Sequence, residues 1–238
     1  MTTRSKRYQD AVETIDPEKD YTLSEAINLV LDAANTNFEE SIECHVRLGI
    51  DPEDADQQVR GSIVLPAGTG RDVTVIVFAQ GEKKQEAEDA GADEVGGEDL
   101  IEKIDDGWLE FDQAIATPDM MSDVSRLGPV LGPRGLMPNN KAGTVTFDIA
   151  DAVDKVKKGQ IELRNDSYGI IHTVAGTDSM STDQLEENLT AIFEFIEDER
   201  PPGIEGRGQY FKSISLSSSM SPSVSVDPGD VLSRVTSE

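Results

Sequence analysis

The first clear pattern in the chain is at Thr22-Leu-Ser-Glu25, which has the form of a capping box and is followed by Ala26, Ile27, Val30, Leu31 and Ala34 at helical spacing. A helix ending near Asn35 is predicted. From Ile42 the period changes to two: Ile42, Cys44, Val46, Leu48 and Ile50 fall on one side, with Glu43, His45 and Arg47 on the other. This is the pattern of a half-buried strand. Asp51-Pro-Glu-Asp54 breaks it, Val59 to Leu65 predicts a second strand, and Pro66-Ala-Gly68-Thr-Gly70 stops that one.

Beyond this stop the pattern alters. Val73-Thr-Val-Ile-Val-Phe78 is a continuous apolar run of the kind found in strands covered on both faces. Gly81 to Ala90 has helical composition, Gly91-Ala-Asp-Glu-Val95 predicts a short strand, Glu98 to Ile104 a helix and Phe111 to Thr117 a strand. Alternating strands and helices imply parallel βαβ units. Met120 to Leu127 predicts another helix and a long Gly/Pro stretch runs from Gly128 to Gly143. Val145-Thr-Phe147 and a helix from about Asp148 to Lys157 complete the unit.

Lys157-Lys158-Gly159 marks a second boundary, after which period two returns in Ile161/Leu163 against Glu162/Arg164 and in Ile170, His172 and Val174. Asn165 to Gly169 predicts the hairpin turn between them. Ser181-Thr-Asp-Gln184 is a second capping box, with Leu185, Leu189, Ile192, Phe193 and Ile196 on one helical face, and Arg200-Pro-Pro-Gly203 ends that helix. Ile214 and Leu216 alternate with Ser213, Ser215 and Ser217 in a last strand, and the Ser/Pro/Asp-rich end beyond Met220 is expected to fray. The fold class is therefore α/β, in two domains. A discontinuous α/β domain takes both termini, 1–68 with 159–238, and an α/β domain, 69–158, is inserted in it.

Charge changes the picture. The 238 residues hold 47 acidic and 21 basic side chains, a net charge of −26, yet 37% are hydrophobic, enough for a core. Acids occur in nearly every segment, which reads as adaptation of a whole surface to molar salt, where the Debye length falls to ~3 Å from ~8 Å at physiological strength. An acidic protein of ordinary cytosol is the alternative. Such acidity ordinarily argues against a nucleic-acid partner. One cysteine and two histidines supply neither a disulfide framework nor a Cys/His zinc site. No apolar run reaches membrane-spanning length, and the basic start Arg4-Ser-Lys6-Arg7 leads into Tyr8-Gln9-Asp10 rather than an apolar signal core, so a soluble, cytoplasmic protein without membrane contact is expected.

An α/β insert invites a nucleotide-dependent enzyme, but its phosphate loop is missing. Gly68-Thr-Gly70-Arg71 precedes its strand instead of following it, and no G-x-x-x-x-G-K-S/T occurs. Cys44 and His45 lie on opposite faces of a strand, which leaves Cys44 as a small core thiol. His172 fits either a functional polar contact or an ordinary surface histidine. Leu131-Gly-Pro-Arg-Gly-Leu-Met-Pro138 is too dense in Gly and Pro for helix or strand, and is either an ordered loop with a purpose or a solvated linker. The hydroxyls of Ser217-Ser-Ser-Met-Ser-Pro222 suit either a sugar-phosphate edge or the end of a strand.

Six stretches carry a resemblance. Asp56-Gln-Gln-Val-Arg-Gly61, Gly91-Ala-Asp-Glu-Val-Gly-Gly97, Gly107-Trp-Leu-Glu-Phe-Asp112, Ala116-Thr-Pro-Asp-Met120, Leu131-Gly-Pro-Arg-Gly-Leu-Met-Pro-Asn139 and Ser219-Met-Ser-Pro-Ser-Val224 resemble, in order, signatures of the first large-subunit ribosomal protein family in its bacterial form. The resemblance covers almost the whole chain. It implies a split RNA-binding domain with a Rossmann-like, three-layer α/β domain inserted, and a structural, non-enzymatic role without cofactor, metal or small-molecule substrate. The implied partners are large-subunit ribosomal RNA, which the protein binds to form the mobile stalk beside the exit site, the deacylated exit-site tRNA whose release it assists, and its own operon mRNA, whose translation it represses.

Carried over position by position, the RNA surface implied by the resemblance comprises Phe38, Ser41, Arg164, Asp166, His172, Ser213, Ser219, Met220 and Ser221. Short hydroxyls, backbone groups and a few apolar side chains are the means by which proteins read RNA shape at the ribose edge. The sequence departs from the family pattern at Ser221, where Gly is usual, at Asn37, where Lys is frequent, and at Asn140, where Pro is usual. A further tension is electrostatic. Residues 69–158 hold 10 basic and 19 acidic side chains, so the split domain, with 11 and 28, is the more negative half.

Overall fold

The computed structural model describes residues 5–204 and 207–235; Arg4, which opens the basic start, lies outside them. Along the chain run α1 (Lys6–Glu13), α2 (Leu23–Ala33), β1 (Ser41–Leu48), β2 (Arg60–Val64), β3 (Val75–Phe78), α3 (Glu82–Asp89), β4 (Glu94–Gly96), α4 (Glu98–Asp105), β5 (Gln113–Ala116), α5 (Met121–Val124) and α6 (Gly128–Leu131). These are followed by α7 (Ile149–Lys157), β6 (Gln160–Arg164), β7 (Ile170–Thr177), α8 (Thr182–Asp198), α9 (Arg207–Tyr210), β8 (Phe211–Ser218), β9 (Val224–Val226) and α10 (Pro228–Val235). The chain divides into two compact units: residues up to Arg71 together with those from Glu162, and Asp72–Ile161.

In the split unit, four antiparallel strands form a sheet in the order β7-β1-β8-β9. Ile42, Cys44, Val46 and Leu48 of β1 are buried, as are Ile171, Thr173 and Ala175 of β7 and Ile214 and Leu216 of β8. Helices α2 and α8 cover that face. Both begin with complete capping boxes, Thr22 with Glu25 and Ser181 with Gln184, which satisfy N–H groups that a helix start leaves open. Burying a side chain such as Ile27 or Leu189 contributes about 1.5–3 kcal/mol. Burial pushes the Cys44 thiol up to about 12, so it stays a neutral core group. The strand β2 pairs with β6 in a separate ribbon.

In the other unit, β3 is the middle of a parallel sheet, β4-β3-β5, and all four of its residues are buried. Alternation then decides the layers. Ile76 and Phe78 pack with Leu100, Ile101 and Ile104 of α4, whereas Val75 and Val77 pack with Ala87 of α3 and Val153 and Val156 of α7. A continuous apolar run is thus what a strand sandwiched between two helical layers requires.

Three sequence expectations are corrected. The segment Gly128 to Pro138 contains helical turns: α6 is followed by a 3-10 turn, Gly132–Arg134. A residue before proline normally avoids helical backbone because its Cβ crowds the proline ring. Gly128 and Gly132, which precede Pro129 and Pro133, have no Cβ and so adopt φ −49°, ψ −43° and φ −59°, ψ −53°. Gly135, at φ 72°, then ends the turn. Second, the stretch beyond Met220 is ordered through Val235: β9 pairs with β8, and α10 is tied back by Asp230, which accepts the Leu23 N–H, and by Arg234, which pairs with Glu186. Its small polar composition concealed Val224, Val226 and Val231, all buried. The third is an omission: helix α1 precedes the first capping box, where the sequence pattern predicted no element.

Candidate nucleic-acid interface

Strand β1 is the spine of the site. Its side chains alternate, so Ser41, Glu43, His45 and Arg47 face away from the core. The neighbouring strands add outward residues in register: Arg47 stands opposite Ile170 and Ser213, His45 opposite His172 and Ser215, and Glu43 opposite Val174 and Ser217. Ser225 of β9 extends the middle row. From Ser41 to Arg47 this open face runs about 20 Å, at ~3.3 Å per residue. Hydroxyls and imidazoles line it.

At the Ser41 end two loops are locked together by a carboxylate that sequence reasoning missed. Glu40 is fully buried; its Oε2 accepts the Ser218 hydroxyl at 2.6 Å and the Met220 N–H at 2.8 Å, and its Oε1 accepts the Thr36 N–H at 3.3 Å. Burial opposes ionisation, but the hydrogen bonds from Ser218, Met220 and Thr36 outweigh it and hold the carboxyl below its usual range. Ser41 and Ser219 exchange two bonds, Ser41 N–H to Ser219 Oγ and Ser219 N–H to the Ser41 carbonyl, each 3.1 Å. Arg7 donates to the Met220 carbonyl at 2.9 Å and to Asn35 Oδ1 at 3.0 Å. The backbone is thereby pinned, while the side chains of Phe38 and Met220 stand 54% and 51% exposed.

Ser221 occupies its place without backbone strain, since no described non-glycine residue has positive φ. Its hydroxyl accepts the Ser218 N–H at 2.8 Å and donates to the Pro222 carbonyl at 2.9 Å, so it closes its own turn.

At the other end, Asp166 organises the hairpin that leads into β7. Its Oδ1 accepts the N–H groups of Tyr168 and Ile170, both at 2.8 Å, and its Oδ2 lies 3.4 Å from His172 Nε2. Burial works against the Asp166 charge, and the bonds from Ile170, Tyr168 and His172 overcome it, lowering its pKa. Arg164 is exposed beside this turn. The nine residues implied by the resemblance thus fall into two end groups, Phe38/Ser41/Ser219/Met220/Ser221 and Arg164/Asp166, with His172 and Ser213 on the strip between.

The local charge differs from the global one. From Gly206 to Val226 there is no acidic residue. Arg7, Arg47, Arg164 and Lys212 have no carboxylate partner among the described residues, whereas Arg60, Arg200 and Arg234 of the same unit are paired with Glu162, Glu197 and Glu186. Among the described residues, no three His, Cys, Asp or Glu are placed to hold a metal, and no helix is long and apolar enough to cross a membrane.

The sequence model of the Ribosomal protein L1p/L10e family matches residues 30–222, a span that contains β1, the hairpin at Asp166 and the Ser219–Ser221 turn. The chain belongs to this family. The Large ribosomal subunit protein uL1 of Limosilactobacillus reuteri subsp. reuteri (strain JCM 1112) is 52% identical over 224 residues, covering 94% of this chain and 96% of that protein. The six stretches singled out in the sequence therefore pointed to the right family. In this member of the L1p/L10e family, His45 and Arg47 were visible beforehand as the polar side of a period-two strand. Arg7 was visible only as part of the basic start Arg4-Ser-Lys6-Arg7, with nothing to link it to Met220, and Glu40 was not visible at all, because one acid among 47 carries no local signal.

Proposed function

We propose that this protein is a structural, non-enzymatic component of the large ribosomal subunit in the cytoplasm, and that its split unit holds large-subunit ribosomal RNA along the outward face of β7-β1-β8-β9. Phe38 and Met220 supply apolar contacts to the sugar face, Ser41, Ser213 and Ser219 supply hydroxyls, and Arg164 and His172 complete the far end. On this reading Asp166 and Ser221 shape the turns that present their neighbours. The protein forms the mobile stalk with that RNA, assists the departure of deacylated tRNA from the exit site and represses its own operon mRNA by the same surface. The observation that supports this best is the 20 Å strip itself, at ~3.3 Å per residue, which has Arg47 on it and Arg7 and Arg164 near its two ends, all without a carboxylate partner among the described residues, while most of the chain is acidic.

The test is to pull down RNA with the full chain in high salt and to sequence it. Enrichment of one large-subunit ribosomal RNA segment, with protection centred on a single folded element, is the expected result. Recovery of ribosomal RNA without preference for any segment would defeat the reading.

A further inference from the structure

The middle row of the outward face holds two imidazoles, and their surroundings assign their hydrogens. His172 of β7, His45 of β1, Ser215 of β8 and Ser225 of β9 stand side by side in register. The two rings share a hydrogen bond through their Nδ1 atoms. His172 Nε2 faces the Asp166 carboxylate, so Nε2 carries a hydrogen and His172 Nδ1 is the acceptor between the rings. His45 therefore donates through Nδ1. In a neutral His45 this leaves Nε2 bare, within reach of the Ser217 hydroxyl as a donor and beside the Glu43 carboxylate. A single relay results, from the Ser217 hydroxyl through His45 and His172 to Asp166.

The relay has room for one more proton. Added at His45 Nε2, it makes His45 an imidazolium that still donates to His172, and the bond between the rings becomes charge-assisted. A further proton would leave two donors facing each other and break that bond. The charged groups that face the pair are Glu43 and Arg47 of β1 and Asp166 of the hairpin. The outward residues beside it on β7 are the uncharged Ile170 and Val174, and β8 and β9 present only serine hydroxyls. With both imidazoles neutral, two carboxylates outnumber one guanidinium, and a phosphate meets repulsion in the middle of the strip. One added proton balances that count and turns the bare nitrogen into a donor. In the free protein, burial and the neighbouring His172 leave that proton weakly held, against the pull of Glu43. The His172 side chain is 53% exposed and that of His45 28%, so a ligand on the face reaches both.

We propose that His45 Nε2 and its partners form a proton-coupled phosphate subsite: when an RNA phosphodiester seats over this row, the pair takes one proton from solution at that atom. The inference rests on the proposed function, because it takes the RNA to lie on the outward face. It adds that the strength of the complex is set by pH as well as by shape. Linkage fixes the sign: a complex that holds more protons than its free components strengthens as pH falls.

The ribosomal RNA segment recovered above is titrated with the full chain at one fixed salt and at pH ~8, ~7 and ~6, on both sides of the ordinary histidine value of ~6.5, with circular dichroism at each pH. Native affinity should rise as pH falls, by up to about ten-fold per unit, the limit for a single proton. His45→Gln should lose most of that slope; what remains in it belongs to the RNA bases and to His172. A second measurement needs no variant. The chain has two histidines, and with their ring nitrogens isotope-labelled the Nε2 resonance of His45 should move from the bare to the protonated position when RNA is added at pH ~7. The proposal is overturned if the affinity of the folded native chain is level or falls as pH drops, if His45→Gln keeps the native slope, or if RNA leaves the His45 Nε2 resonance where it was. Failure of the native chain to bind the RNA segment at every pH would instead remove the proposed function.

Discussion

Nδ1 of His45 lies 2.9 Å from Nδ1 of His172 across the β1–β7 pair, with the rings edge-on at 62°. One ring donates and the other must offer a lone pair, so the bond exists only while at least one imidazole is neutral. His45 Nε2 faces Glu43 at 3.8 Å and the Ser217 hydroxyl at 3.5 Å, while His172 faces Asp166. Burial lowers the His45 pKa, His172 lowers it further, and Glu43 opposes both.

A pH dependence of stability follows. The folded state takes up the His45 proton at lower pH than the unfolded chain, whose histidine titrates near ~6.5. Below that value the unfolded state therefore binds more protons, and stability falls as pH drops. Melting temperature should decline between neutral pH and the region below ~6, and His45→Gln should flatten that part of the profile. An unchanged slope in the variant would show that other groups set it.

Glu40→Ala should destabilise the split unit by roughly 1–3 kcal/mol, since the Ser218 hydroxyl and the Met220 and Thr36 N–H groups lose their acceptor in a buried site. Denaturant unfolding measures this. Because the folded carboxyl titrates below its unfolded value, its contribution is present above the usual carboxylate range and disappears as acidification passes through the folded pKa. RNA affinity should fall with stability here, as the pinned loops loosen together.

Met220→Asp and Phe38→Ala should do the opposite: the side chains are half exposed, so melting temperature should stay within the equivalent of ~0.5 kcal/mol while RNA affinity drops. Calorimetry alongside filter binding separates the two effects. If melting falls and the folded fraction binds RNA normally, these residues only pack against their own unit.

Salt should act unusually. The split unit holds 12 basic and 28 acidic residues, so long-range repulsion opposes Arg47 and the few other cations of the unit that lack a carboxylate partner among the described residues. Screening removes the long-range part first as the Debye length shrinks. Affinity for the RNA should stay flat or rise from low to molar KCl, with circular dichroism at each salt to exclude unfolding. A steep loss, as counterion release gives for a basic protein, would show that the acidity plays no part in fitting this interface to salt.

Much of the fold was legible wherever one face of an element is buried. Ile42 to Leu48 and Leu185 to Ile196 announced their own periods, and the run Val75 to Phe78 announced two-sided cover. The pattern failed where chemistry rather than period decides. Gly128 and Gly132 looked like helix breakers, yet before proline they are what makes a helical turn possible. The stretch around β9 looked like a tail because Val224 and Val226 stand alone among Ser, Pro and Asp residues. At the site, outward-facing residues could be read from β1 alone. The join between Thr36–Glu40 and Ser218–Ser221 could not, because it brings together residues about 180 positions apart.

Both sheet neighbours of β1, β7 and β8, follow the unit Asp72–Ile161 in the sequence, whereas β1 precedes it. During synthesis from the amino end, that unit is contiguous and complete while β1 still waits unpaired on both edges. Glu40 meets Ser218 and Met220 only after β8 and the turn beyond it have emerged. The loop bearing Phe38 therefore gains these contacts only once Met220 has been made, and a copy truncated before Ser218 presents Phe38 without them.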